Sequence, residues 1–158
     1  MKTPYLFRTT DIAALPEQRS EHQFNANAVR LTKTLGSLAG LSRIGLHMVR
    51  LEPDRESTEL HSHDNDEEFI YIVSGTGTAT IGQETYEVSA GDLMAFPLRS
   101  PPHALHNTGA EDLIYLMGGE RNSADVVHYP RQQRSMVKTA GQRYYTDWAH
   151  QIPLEPKP

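Results

Sequence analysis

Between His61 and Gly75 the chain reads His-Ser-His-Asp-Asn-Asp-Glu-Glu-Phe-Ile-Tyr-Ile-Val-Ser-Gly, and this stretch constrains the fold more than any other. Successive side chains of a strand point to opposite faces, so His61 and His63 share a face. The acidic run from Asp64 to Glu67 reads as a turn. Beyond it Glu68, Ile70 and Ile72 fall on one face, and Phe69, Tyr71 and Val73 on the other. Two antiparallel strands joined by that turn bring Glu68 back beside the histidines. Two imidazoles and a carboxylate converging on one point make most of a divalent-metal site.

The remaining sequence predicts more strands of the same kind. Ile44 to Leu51 is apolar on both faces, as expected of a strand covered on both sides, and His47 within it reads as a packed or hydrogen-bonded histidine. Strands are predicted over Glu59–His63, Glu68–Ser74, Thr78–Ile81, Glu84–Val88, Leu93–Phe96, His103–Asn107, Leu113–Met117 and Asp125–Tyr129. Gly75-Thr76-Gly77, Gly82-Gln83 and Ala90-Gly91-Asp92 supply turns between them. Short strands at near-regular spacing point to an all-β barrel or sandwich. Eleven glycines and ten prolines spread along the chain agree with that reading.

Residues 1–42 read as an N-terminal arm, 43–119 as the barrel core and 120–158 as a C-terminal extension of one domain. In the arm, Thr10 to Pro16 predicts a helical turn capped by Thr10 or Asp11. Val29 to Leu35 predicts an edge strand on which Arg30 and Lys33 are exposed or covered by a partner subunit. Gln132 to Gln142 is polar and predicts no strand. Tyr144, Tyr145 and Trp148 read as anchors for the C-terminal segment, and the tail with Pro153, Pro156 and Pro158 as extended.

Composition narrows the function. A net charge of −5 argues against nucleic acid or an anionic membrane as partner. No apolar run is long enough to span a bilayer, and Met1 to Pro16 lacks the apolar core of a signal peptide, so a cytoplasmic protein is expected. With no cysteine in the chain, a bound metal must take nitrogen and oxygen ligands.

The stretch from His61 resembles the first cupin motif: two histidines separated by one residue, then a glutamate, then a glycine, here His61, His63, Glu68 and Gly75. Gly91, Pro97, His103 and Asn107 resemble the second motif. Arg99 stands where that motif usually carries glycine, and the loop from Pro97 to His103 is one residue longer than usual. His103 keeps the four-residue step to Asn107, and His106 is the alternative third histidine. The terminal extensions resemble those of small single-domain bacterial cupins. The resemblance implies a jelly-roll barrel with a metal inside, near one mouth, held by His61, His63, Glu68 and His103.

Imidazole and carboxylate ligands suit Fe(II), Mn(II), Ni(II), Co(II) or Zn(II). Such an ion with open positions acts on a small oxygenated molecule, by isomerase, oxygenase, lyase or decarboxylase chemistry, or else simply holds a small ligand in a sensor or carrier. Glu59 shares the parity of the histidines and reads either as their neighbour or as a solvated rim residue. Glu67 is a fallback ligand. Arg99 reads as a loop arginine or as a contact for an anionic substrate. Tyr71 and Tyr115 are acid/base candidates, with packing the simpler role for Tyr71. The arm and the apolar face with Phe69 and Tyr71 predict a homodimer.

Overall fold

The alternating stretches do form strands, and their parity decides what faces inward. The structure is a computed structural model that describes residues 5–153. Helix α1 (Thr9–Ala13) is followed by β1 (Gln18–His22), β2 (Asn25–Lys33), the helical turn α2 (Leu35–Leu38) and β3 (Ile44–Leu51). Then come β4 (Ser62–His63), β5 (Glu68–Ser74), β6 (Thr76–Ile81), β7 (Glu84–Ser89), β8 (Leu93–Phe96), β9 (His103–His106) and β10 (Leu113–Glu120). The extension adds β11 (Asp125–Tyr129), β12 (Arg134–Thr139) and β13 (Gln142–Asp147). Among the described residues no helix is long and apolar enough to cross a membrane.

All pairings are antiparallel. A six-stranded sheet runs in the order β1-β2-β3-β10-β5-β8. Beside it lie a three-stranded sheet, β7-β6-β9, and a four-stranded sheet, β13-β12-β11-β4. Residues just before β4 and at the start of β9 close the seam between the two smaller sheets, through a bridge between His61 and His103. The architecture is the all-β barrel that the strand succession predicts.

The core is built from inward positions of the six- and three-stranded sheets: Val49 and Leu51, Ile70 and Ile72, Leu113 and Tyr115, with Ala79, Val88, Met94, Phe96 and Leu105. Removing each large apolar side chain from water contributes about 1.5–3 kcal/mol. On β5 the alternation is plain, with Ile70 and Ile72 buried while Tyr71 and Val73 are each 42% exposed. Glu68 has the parity of the buried pair. Asn107 is fully buried and donates to the carbonyls of Leu51 and Glu111 at 2.8 and 2.9 Å, while accepting from the Gly109 amide. Its role is to close the β9–β10 connection, with every polar atom paired.

The sequence expectations depart from the structure at the ends. The edge strand of the main sheet is β1, for which no strand is predicted, and β2 lies inside it. The strand expected to run to Leu35 stops at Lys33, and Leu35–Leu38 turn into α2, which packs on β3 with Gly36 close to the Leu46 backbone. Lys33 is not an edge cation, because its ammonium donates to the Ile12 and Ala13 carbonyls at the end of α1. Asp11 caps α1 by accepting from the Arg8 amide at 3.0 Å. Of Glu59–His63 only Ser62–His63 is strand, because the chain must cross from one small sheet to the other. The polar stretch Gln132–Gln142 hides a hairpin: Ala140 and Gly141 both take positive φ, 49° and 77°, the two-residue turn that matches strand twist. Tyr145 and Trp148 are anchors, Tyr145 against the Phe24 ring at 5.0 Å and Trp148 through its indole N–H to Ser135 Oγ at 2.8 Å, whereas Tyr144 is half exposed. Pro156 and Pro158 lie outside the described residues.

Gly75, between β5 and β6, has φ +85°, and an added Cβ would lie 2.6 Å from the Asp112 carbonyl oxygen. Backbone cannot yield as a side chain does, so Gly75→Ala is expected to lose about 3 kcal/mol of stability. Urea denaturation measures this, and an unshifted midpoint contradicts it.

Candidate metal centre

Three elements bring the candidate ligands together. Backbone hydrogen bonds of 3.2 and 2.7 Å hold His61 and His103 opposite one another. His63 pairs with Val127 of β11. Glu68 opens β5, opposite Phe96 on one side and Gly119 on the other. A Cβ at Gly119 would stand 2.9 Å from Glu68 Cγ, so the bare glycine leaves the carboxylate room to turn inward. The Phe96 ring lies flat under the His103 imidazole, centroids 3.5 Å apart, and fixes its plane.

The Nε2 atoms of His61, His63 and His103 all face Glu68 Oε2, at 3.7, 3.4 and 3.4 Å. Their Nδ1 atoms face away. His61 Nδ1 is 3.0 Å from the Glu59 carbonyl, His63 Nδ1 is 2.7 Å from Asp125 Oδ2, and His103 Nδ1 is 3.4 Å from the Pro101 carbonyl. Carbonyl and carboxylate oxygens only accept, so the Nδ1 positions carry the protons. With Nδ1 engaged in each ring, all three Nε2 atoms meet the same carboxylate oxygen, and deprotonation at Nε2 would free each of them as a ligand atom.

The electrostatics tie the four side chains together. Burial acts to raise the Glu68 carboxyl, but bonds from His103, His61 and His63 outweigh it and hold the group well below the usual carboxylate range. Burial depresses His61, and there it prevails. At His63 burial loses to the bonds from Asp125 and Glu68, and the pKa rises to about 9. Asp125, also bound by the Asn65 amide at 2.9 Å, is correspondingly lowered despite its desolvation. Without a cation, the positive charge beside Glu68 and Asp125 is the imidazolium of His63. His61, His63 and Glu68 bring ligand atoms within 4.8 Å of one another, a group that could hold a divalent cation in place of the Nε2 protons, and His103 Nε2 lies 3.4 Å from the same Glu68 oxygen. A neighbouring group, His63 with Asp66 and Asp125, is taken up internally: Lys138 Nζ sits 2.6 Å from Asp66.

The other candidates fall out as follows. His106 points to the rim, 3.2 Å from Asp54, and lies apart from the cluster. Glu67 is exposed, so it is no ligand in this geometry. Glu59 is a neighbour of His61 through its backbone carbonyl; its side chain is buried, not on a solvated rim, with Arg131 at 3.8 Å. Arg99 is exposed and takes φ 60°, which explains the glycine expected there. Tyr71 lies on the outer face, as its parity requires. Tyr115 is fully buried, lines the cavity, and has a hydroxyl with no hydrogen-bond partner in the structure. Burial pushes that phenol up to about 12. Of the two readings of His47 the packed one holds: the ring is partly buried, its Nδ1 has no hydrogen-bond partner, and desolvation depresses its pKa.

Sequence reasoning missed two features. Asp125, read only as the start of a strand, orients His63. Arg30, assigned to an edge that is exposed or covered by a partner subunit, lines the cavity of the histidine cluster instead. Parity gave no signal for it, since Ala28 and Val29, on opposite faces of β2, are both buried.

The fold and the cluster define a β-barrel protein with an internal three-histidine, one-carboxylate centre. A family model described as "Cupin domain" matches residues 47–119. The crystal structure named "Putative sugar phosphate isomerase" from Acidithiobacillus ferrooxidans is 35% identical, covers 97% of this chain and 98% of its own, and superposes with a TM-score of 0.94. The chain belongs to the cupin superfamily. A sugar phosphate isomerase of the superfamily from Silicibacter pomeroyi is 25% identical, with coverage of 89% and 90% and a TM-score of 0.77. The oxalate-binding protein of Thermotoga maritima is 27% identical over 114 residues, 72% of this chain and 92% of that protein. Two further curated relatives match over shorter segments, and the chain spans 45% and 19% of their lengths.

Partners of metal-bound histidines typically change metal affinity ten- to a hundredfold when removed. Asp125→Asn is therefore expected to weaken metal binding about tenfold or more in a chelator competition, with the fold intact by circular dichroism. Unaltered affinity contradicts the orienting role of Asp125.

Proposed function

We propose that this chain is a metal-dependent enzyme in which His61, His63, Glu68 and His103 hold one divalent transition ion and a small oxygenated metabolite is the substrate. The observation that carries the reading is the common orientation of the three imidazoles, each with Nδ1 engaged and Nε2 turned to Glu68 Oε2. Isomerisation of a hydroxy-carbonyl compound of the sugar-phosphate type is the reaction favoured, since two relatives with coverage near or above nine-tenths carry that name.

The bound ion would polarise carbonyl and hydroxyl oxygens of the substrate and acidify the hydrogens beside them. The chain's own residues supply the rest. Tyr115, protonated throughout the physiological range, is a buried donor on the cavity wall. Ile70, Met117 and Val127 give the wall its apolar part and limit the water around the reacting carbons. The cavity, about 340 Å³, is at the lower end of the range for metabolite sites.

A second reading, a non-catalytic binder of a small dicarboxylate, draws on the likeness to the oxalate-binding protein. The proposal also includes a homodimer formed through the outer face of the main sheet, where Tyr71 and Leu93 are cross-strand neighbours and, with Val73, are 42–63% exposed. Light scattering of the wild-type chain should give a dimer mass and that of Leu93→Asp a monomer mass; a wild-type monomer refutes this part.

The metal reading is tested by element analysis of purified variants. His103→Ala should carry less than about a tenth of the wild-type metal, and His106→Ala the wild-type amount. The reverse pattern, or full metal in His103→Ala, overturns the ligand set. Assays of sugar phosphates with the metal-loaded chain then separate enzyme from binder: interconversion supports the enzyme, and binding with no conversion of any of them supports the binder.

A further inference from the structure

The cavity that holds the histidine cluster also gathers an unusual share of this acidic chain's cations. Arg30, Arg121, Lys138 and Arg143 all line it, and Arg121, Lys138 and Arg143 also line the adjoining cavity, which continues outward past His47, Asn122 and Gln142. Four carboxylates line the inner cavity as well, and each is committed elsewhere. Glu68 faces the histidines, and Asp125 holds His63 and the Asn65 amide. Asp66 accepts from Lys138 and the Asn122 amide, and Glu120 accepts from the Glu67 amide and the Asn122 side chain.

The arginines have no such partners. Among the described residues none of Arg30, Arg121 and Arg143 forms an ion pair with a carboxylate. The Arg30 guanidinium meets only neutral groups, Met117 Sδ at 3.9 Å from Nη1 and the Tyr115 phenol, and neither offsets its charge. The strand register adds a second anomaly. Lys138 of β12 and Arg143 of β13 are directly opposed, and like charges at opposed positions destabilise a sheet pair. Arrangements that break a local rule of this kind mark places where function sets the residues. Asp66 answers the Lys138 charge, so Arg143 is the member of the pair left to meet an anion.

The geometry points to an anion-recognition arc, made by Arg30, Arg121, Lys138 and Arg143, that binds the phosphoryl group of a substrate whose oxygenated end meets the histidine cluster. This deepens the sugar-phosphate reading given above and rests on it for the second end of the substrate. Asp66 offsets Lys138, which leaves three guanidinium groups. Their planar forks match phosphate oxygens, and their combined charge suits a dianion better than a single carboxylate. A two-carbon dicarboxylate would fill little of a cavity of about 340 Å³, the liquid volume of roughly eleven waters at about 30 Å³ each.

The origin of the four cations adds to the case. All lie outside residues 47–119, the part that matches the cupin-domain model. Arg30 comes from β2, Arg121 from just beyond β10, and Lys138 and Arg143 from the C-terminal hairpin. The shared barrel carries the histidine cluster, and the two extensions deliver the group that selects the substrate.

Calorimetric titration of glycerol phosphate tests this, with glycerol and oxalate as comparison probes at constant ionic strength and metal content measured in parallel. Arg121→Ala and Arg143→Ala change exposed side chains and leave the fold and metal content intact. Saturable binding of glycerol phosphate but not glycerol is expected, weakened about tenfold in each variant and further by Arg143→Glu. Glu68→Ala should lose metal yet keep glycerol phosphate affinity within about twofold, because Glu68 is engaged by the histidines and forms no ion pair with any of the four cations. No saturable binding, or unchanged affinity in all the arginine variants, overturns the arc. So does tighter binding of oxalate through the same arginines. Normal metal content beside any of those results leaves the metal reading standing, and arginine-dependent phosphate binding in a chain that holds no metal refutes that reading alone.

Discussion

Three imidazoles whose Nδ1 edges are taken must turn their Nε2 edges toward something, and here all three turn to one carboxylate oxygen. That convergence organises the barrel around it. Glu59 and Pro101 hold their carbonyls against His61 and His103, Asp125 is buried beside His63, Phe96 underlies His103, and Gly119 gives Glu68 room. Removing several acceptors and a carboxylate from water costs free energy unless opposite charge meets them. The His61–His103 bridge, at the seam of the two smaller sheets, makes the cluster part of barrel closure as well.

The core and the site divide the barrel between them. Along β5 and β10 the inward positions run from Ile72 and Leu113, fully buried in apolar contact, through Tyr115 to Glu68 and Gly119 at the polar end. Tyr115 stands at the boundary, its ring in the core and its hydroxyl toward the cavity. Tight packing at one end leaves the histidines little freedom to rearrange, a condition for preorganised chemistry. The extensions complete the other end, where β2 and the C-terminal hairpin bring in side chains that the central barrel lacks.

Much of this was legible in the sequence because strand parity is a strict rule. The two-residue step from His61 to His63 and the alternation from Glu68 to Val73 assign faces without reference to distant residues, and β3, β5, β8 and β11 have the bounds read from the chain. The step from His103 to Asn107 singled out His103 over His106, and the structure brings His103 to Glu68. The missing parts depend on long-range packing. Arg30 looks like an edge cation until β1 covers β2 and turns the residue toward the cavity. Asp125 has no local mark of its bond to His63, since the two meet only where β4 pairs with β11. The β12–β13 hairpin is too polar to read by hydrophobic alternation, and its one signal is the Ala140-Gly141 turn.

The most direct measurement is diffraction from crystals of metal-loaded protein, recorded above and below the absorption edge of the ion. The account predicts one anomalous peak inside the barrel, about 2.0–2.2 Å from Nε2 of His61, His63 and His103 and from a Glu68 oxygen. A peak held by other side chains, or none within reach of these four, contradicts it.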